Sequence, residues 1–261
     1  MSDQFVYDIE EATDDFLELD DWKIGSLALG EGDTDAHLWA IRDLVRRLRR
    51  DDKELTENIR KIEALADHPS WNNRDIDNLH EQYYASVYQD AAHSMTVVAV
   101  LAPFVESMFK QGFIGIRRHL ESRGRLPTSP HARSQMRSER QWDCQYVSTS
   151  PKANVVAGII ELTETTGLAA ELPNDLHAIL RALFGYRNKM LHFGFEWPEK
   201  ERRAFALTIV EQHWPGEWFS ASTSDGVPMM FYLSDGFVDH CLQSINAIIP
   251  GIGRFLRKSD Y

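Results

Sequence analysis

Arg187, Asn188 and His192 stand close together where an apolar helical pattern runs out. An arginine stays cationic, and its planar fork matches pairs of phosphate oxygens. An imidazole has an ordinary pKa near 6.5, so at physiological pH it is substantially neutral and able to accept a proton. The Asn188 amide adds a group that can position an anion or the imidazole ring. The trio suits proton transfer beside an anionic oxygen.

The stretch that carries it, Leu176 to Trp197, reads LHAILRALFGYRNKMLHFGFEW. Leu176, Ile179, Leu180, Leu183 and Phe184 follow the three-and-four spacing of a buried helix face. Pro173 and Asp175 suit its first turn, and Gly194 with Pro198 supplies the stop. Two other Arg/His pairs have similar separations, Arg74 with His80 and Arg125 with His131. Arg125 lies among Pro127, Ser129 and Pro130, and Arg74 sits in a turn before a helix. Only Arg187 ends a long apolar helix.

The Arg, polar residue and later His resemble the RNase motif of the HEPN (higher eukaryotes and prokaryotes nucleotide-binding) domains. The resemblance covers the helix from Leu176 to His192 and, more loosely, the apolar helix around Glu106. It implies a HEPN-like helical bundle acting as a homodimer, whose two protomers bring their motifs together to cut RNA without metal or cofactor. It also implies a setting in toxin–antitoxin systems or antiviral defence, with an antitoxin or other regulatory protein as a further partner. In an ideal helix five residues turn through about 500°, about 140° beyond a full turn. Arg187 and His192 therefore share no face of one continuous helix. Either the helix frays before His192, or the working pair is assembled across a two-fold axis.

On this reading RNA brings its own nucleophile, the 2′-hydroxyl. His192 acts as the base, Arg187 stabilises the crowded phosphate, and Asn188 positions one of them. Glu106 interrupts an otherwise apolar surface, where an unpaired carboxylate is costly. Arg187 is one partner that would satisfy it, and another base or a place on the helix's wet side are the alternatives.

Composition allows such a protein without requiring it. Apolar residues make up 43% of the 261-residue chain, enough for a sizeable core. The net charge of −12 is uneven: residues 1–22 hold nine acids and no Lys or Arg, leaving 31 acids against 28 bases. Cys144 and Cys241 are too few for a disulfide frame or zinc site, and no His cluster has metal-ligand spacing. The longest apolar run, Val97 to Val105, is about half of the ~20 residues that a membrane helix needs. Met1 is followed by acidic and polar residues rather than a leader. A cytoplasmic protein with no membrane partner is expected.

Along the chain, residues 1–33 read as an acidic arm that docks Trp22, with Phe16 as a second anchor, on the body, and 34–261 as one helical domain. A helix from Thr34 to Ala66 carries a narrow stripe, Leu38, Ile41, Val45, Leu48, Leu55, Ile59, Ile62 and Ala66, with Asp52 its one polar member. That stripe suits packing against a second long helix or a dimer seam. The second helix runs from about Ile76 to Glu121, kinked or split at Pro103. Arg117, Arg118, Arg123, Arg125 and Arg133 lead a basic segment, with 122–151 a loop able to attract RNA phosphate. Trp142 and Tyr146 beyond them either stack bases or anchor the loop. Val155 to Leu162 resumes a helix broken at Gly167. Another follows Pro198, burying Ala204, Phe205, Leu207, Ile209 and Val210. A β-hairpin spans 217–234, and a last helix from about Asp235 is interrupted at Pro250-Gly251. The fold is mainly α, with long N-terminal helices and one small hairpin. Two other functions fit the same residues: a catalytically silent module that binds RNA, a nucleotide or a protein, and a scaffold whose Arg/His pair is structural.

Overall fold

The computed structural model describes residues 19–30, 32–66, 71–126, 139–145, 154–224 and 227–259. Seven α-helices and one antiparallel hairpin are found among them. The helices are α1 (Asp21–Ala28), α2 (Thr34–Glu63), α3 (Asn73–Ser122), α4 (Val155–Thr166), α5 (Leu176–Phe193), α6 (Glu199–Glu211) and α7 (Asp235–Ser259). Strands β1 (Phe219–Ser224) and β2 (Val227–Leu233) form the hairpin. The described residues fall into two compact units. The first comprises the described residues of Met1–Thr34, Pro103–Arg181 and Leu242–Tyr261; the second comprises those of Asp35–Ala102 and Ala182–Cys241.

Two helices continue through a proline, the first expected to be kinked or split there and the second to be interrupted. α3 is continuous through Pro103 and α7 through Pro250. Proline removes one backbone donor, but in α7 the buried face continues across it as Ile245, Ile248, Ile249, Ile252 and Leu256. Burying that face on both sides outweighs one lost hydrogen bond. By length and composition α3 is apolar enough to cross a membrane, and half of its most apolar window is buried, as in a core helix.

In the first unit α1 is held by backbone-to-backbone approach. Asp20 caps it by accepting from the Lys23 amide at 2.8 Å, and Ile24 is its fully buried anchor. The Trp22 expected to dock the arm is only partly buried. Its other expected anchor, Phe16, and most of the acidic arm lie outside the described residues. A Cβ at Gly253 would lie 1.9 Å from the Asp21 carbonyl oxygen, and one at Gly115 would lie 2.1 Å from that of Ala28. Helix propensity alone favours alanine at both sites by about 1 kcal/mol. Glycine stands there because nothing larger fits. Gly253→Ala and Gly115→Ala should each destabilise by about 1–3 kcal/mol, whereas Gly216→Ala, with open space around it, should be near neutral. Denaturant melts of the three variants check this.

The second unit explains the polar member of the α2 stripe. Asp52 Oδ1 accepts from Gln89 Nε2 at 3.2 Å and lies 2.6 Å from His93 Nδ1. Tyr83 donates to Glu63 further along. These cross-links run antiparallel, so α2 packs on the first half of α3. Asp52, Arg60, Glu63, Tyr83 and Asp90 contribute to a cleft of about 250 Å³.

Partial desolvation and the charge of Asp52, opposed by His93, push the Asp90 carboxyl up to about 6. Its raised pKa means that the folded protein holds this proton more tightly than the unfolded chain. The stabilisation is complete below the ordinary carboxylate value near 3.9 and is lost as pH rises through about 6. Asp90→Asn should therefore gain on wild type between about pH 4 and pH 7. The gain is small because the side chain is exposed, and melts at both pH values measure it.

α6 departs from its expected face. Phe205 is buried, but Leu207 is 61% and Val210 72% exposed. The inward positions include Arg202, whose Nη1 donates to the Pro228 carbonyl at 2.8 Å. That carbonyl lies beside the hairpin's irregularity, where the register shifts between Ser222 and Thr223. An arginine used as an inward cap is invisible to a reading that counts only apolar spacing.

Candidate functional site

The end of α5 is positioned by one buried ring. Tyr186 is fully buried, and its hydroxyl donates to the Phe231 carbonyl of β2 at 2.8 Å. Burial raises the pKa of that phenol, so it remains a neutral donor. Around it lie Trp197 at 5.7 Å, Phe219 at 5.8 Å and Phe205 at 6.2 Å between ring centroids. Tyr186 points inward, so the neighbouring Arg187 and Asn188 are carried toward the surface.

α5 continues to Phe193, and Gly194 then takes φ +69° while its amide donates to Met190 O at 2.9 Å. The helix therefore does not fray before His192. Asn188 and His192, four residues apart, lie on one face, and both are exposed. Arg187 lies about 140° around from His192, but it leans back: its Nη1 reaches Asn188 Oδ1 at 3.5 Å, the long limit of a hydrogen bond. Its guanidinium carbon also lies 5.9 Å from the centre of the Phe184 ring. Among the described residues Arg187 has no carboxylate partner. Around the helix Asn188 lies between the cation and the imidazole.

The other predicted residues that are described lie in the first unit. Glu106 accepts from Gln145 Nε2 at 2.8 Å, so its described partner is an amide rather than Arg187. Arg117 and Arg118 belong to α3, and Arg117 is largely buried, with Nε 3.7 Å from Glu121. Arg125 Nη1 donates to the Ser259 carbonyl at 2.5 Å, tying this turn to the end of α7. Arg123 is exposed just after α3. Arg133, Tyr146 and most of 122–151 lie outside the described residues. Trp142 is buried at 2% exposure, so it anchors the chain rather than offering a stacking face. No group of three His, Cys, Asp or Glu side chains able to hold a metal occurs among the described residues.

The structure adds residues that the spacing of Arg and His did not single out. Tyr88 donates its hydroxyl to Glu196, in the loop that follows α5, and Tyr84 packs beside it at 5.2 Å between ring centroids. The i, i+4 tyrosines of YYASVY were the available signal. Their link to the loop after His192 is tertiary and has no local signature.

The fold and site together define a mainly helical protein whose core helix ends with a half-buried Arg187 and the exposed Asn188 and His192. No protein-family model, curated protein or solved structure matches the chain.

Proposed function

We propose that the chain is a HEPN-like, metal-independent endoribonuclease that works as a homodimer. The observation that carries this reading is the exposed end of α5. Arg187 has no carboxylate partner among the described residues, and its Nη1 approaches Asn188 Oδ1, which shares a helix face with His192. A cation placed this way is available to a phosphate.

His192 removes the proton from a ribose 2′-hydroxyl, and the oxygen attacks the adjacent phosphorus. The bond to the 5′-oxygen breaks, and that oxygen takes a proton from a protonated imidazole or from water. Arg187 offsets the charge gathering on the phosphoryl oxygens. The products carry a 2′,3′-cyclic phosphate and a 5′-hydroxyl. The roughly 140° between Arg187 and His192 on one helix favours a site completed by a second copy of the chain.

Labelled single-stranded RNA and a matched DNA, incubated in excess chelator, test the reading. RNA cut to cyclic-phosphate ends with DNA intact is the expected result. RNA left whole across varied sequences overturns it. The divergence of Arg187 and His192 around the helix also favours a second reading, a module that binds RNA at the same residues without cutting it. Retained affinity without products identifies that case.

A further inference from the structure

Tyr84 is 62% exposed, and a lone exposed tyrosine needs no explanation. This one is held. Its hydroxyl lies 3.4 Å from that of Tyr88, and its ring tilts 47° against the Tyr88 ring. Tyr88 is fixed in turn by its bond to Glu196. Tyr88 and Phe195 both pack against the buried cluster of Ala91, Met230 and Tyr232. The open face of Tyr84 is therefore presented from a rigid base, with much of its ordering entropy already spent in the free protein.

The base is also tied to the candidate site. Glu196 follows His192 by four residues, and four residues reach at most about 14 Å. Between them Phe193, 39% exposed, sets its ring edge-on to the imidazole at 6.3 Å. Lys189 Nζ lies 5.7 Å from the same ring and is paired with the Glu201 carboxylate, so what this edge offers a strand is mainly its rings. Exposed aromatic faces match the way in which single strands are bound, by stacking that tolerates any base. The Glu196 carboxylate accepts from the Tyr88 hydroxyl and keeps its charge, so the platform suits the base of a nucleotide rather than its phosphate.

We infer that Tyr84, braced by Tyr88 and Glu196, is a stacking platform for a base of the single-stranded RNA that flanks the bond cut at His192. The inference rests on the nuclease reading for its substrate, and it assigns a specificity role outside the Arg–Asn–His cluster. A duplex, whose bases are already stacked, gains nothing from such a ring.

The test is direct binding of a fluorescent oligoribonucleotide to the full chain in a His192→Ala background, by anisotropy, alongside wild-type cleavage kinetics. Tyr84→Ala should weaken binding about tenfold, near the low end of one base–aromatic stack, and raise KM with kcat little changed. Tyr84→Phe and Tyr84→Trp should restore both. An abasic residue at the stacked position should erase the difference between Tyr84→Ala and its parent. Circular dichroism confirms that the exposed substitution leaves the fold intact.

Cleavage by wild type with unchanged affinity and KM in Tyr84→Ala removes the platform and leaves the nuclease. Affinity lost in Tyr84→Ala when wild type cuts nothing keeps the platform and removes the nuclease. A change in self-association with RNA affinity unchanged assigns the ring to a protein contact and overturns the inference. Absence of RNA binding by any form overturns both.

Discussion

His192→Ala should lose about 10²- to 10⁴-fold in RNA cleavage, the usual contribution of a positioned general base, while its melting temperature stays close to wild type. Arg187→Ala should lose about 10²- to 10³-fold, the scale of removing one donor to a developing anion. His192 is exposed and Arg187 has no carboxylate partner among the described residues. Their removal opens no cavity and strands no buried charge, so the stability cost should stay within about 0.5 kcal/mol. Arg187→Lys keeps the charge but loses the planar fork, and should recover only part of the rate. The decisive version mixes the two inactive variants. If one copy lends Arg187 and the other His192, random mixing should restore roughly a quarter of wild-type activity, since half the dimers are mixed and one of their two sites is intact. Recovery on mixing establishes a shared site. Loss in both variants without recovery places the whole site in one protomer, and activity retained in His192→Ala removes the imidazole from the chemistry.

The helices were legible because their signals are local. The α2 stripe, the Gly167 break after α4, the proline before α6 and the hairpin all follow from spacing and turn chemistry within a few residues. Gly194 marked the stop of the motif helix and takes the left-handed conformation such a stop requires, but whether the helix frayed before His192 was open until it was seen to run to Phe193. What sequence could not supply was pairing at a distance. Asp52 looked like a flaw in an apolar stripe until Gln89 and His93 were found beside it. Glu106 invited an arginine and has Gln145. Leu207 and Val210 read as core because they are apolar, yet the inward face of α6 is given to Phe205 and Arg202. Pro103 read as a kink or a split and Pro250 as an interruption because local rules see the lost donor and not the buried face that spans it; both helices are continuous. The Arg–Asn–His trio was visible by type; the lean of Arg187 onto Asn188, and the Tyr84–Tyr88–Glu196 brace, required the fold.

Phe205→Ala should be the most destabilising single change in the second unit, costing about 3–5 kcal/mol. Its ring is 2% exposed and touches five others: Phe219 at 5.0 Å, Trp197 and Phe231 at 5.1 Å, and Tyr186 and Trp214 at 6.2 Å between centroids. Several are edge-to-face contacts, which add to the area buried. Aromatic rings flanking the hole cannot collapse to fill it, so both the transfer and the cavity contributions are lost. For a chain of this size the melting temperature should fall by roughly 10 °C; Phe205→Leu, which keeps most of the volume, should cost below about 1.5 kcal/mol. Tyr186 and Trp197 bracket the stretch that carries Arg187, Asn188 and His192, so the cluster also sets the orientation of the site. Phe205→Ala should therefore lose RNA cleavage as it loses structure, and regain much of it on cooling. His192→Ala should stay inactive at every temperature while remaining folded. Guanidinium melts and cleavage rates taken at two temperatures separate these behaviours. A cost below about 1 kcal/mol for Phe205→Ala would mean that the cluster is loosely packed and that the end of α5 is held by the Tyr186 hydroxyl alone.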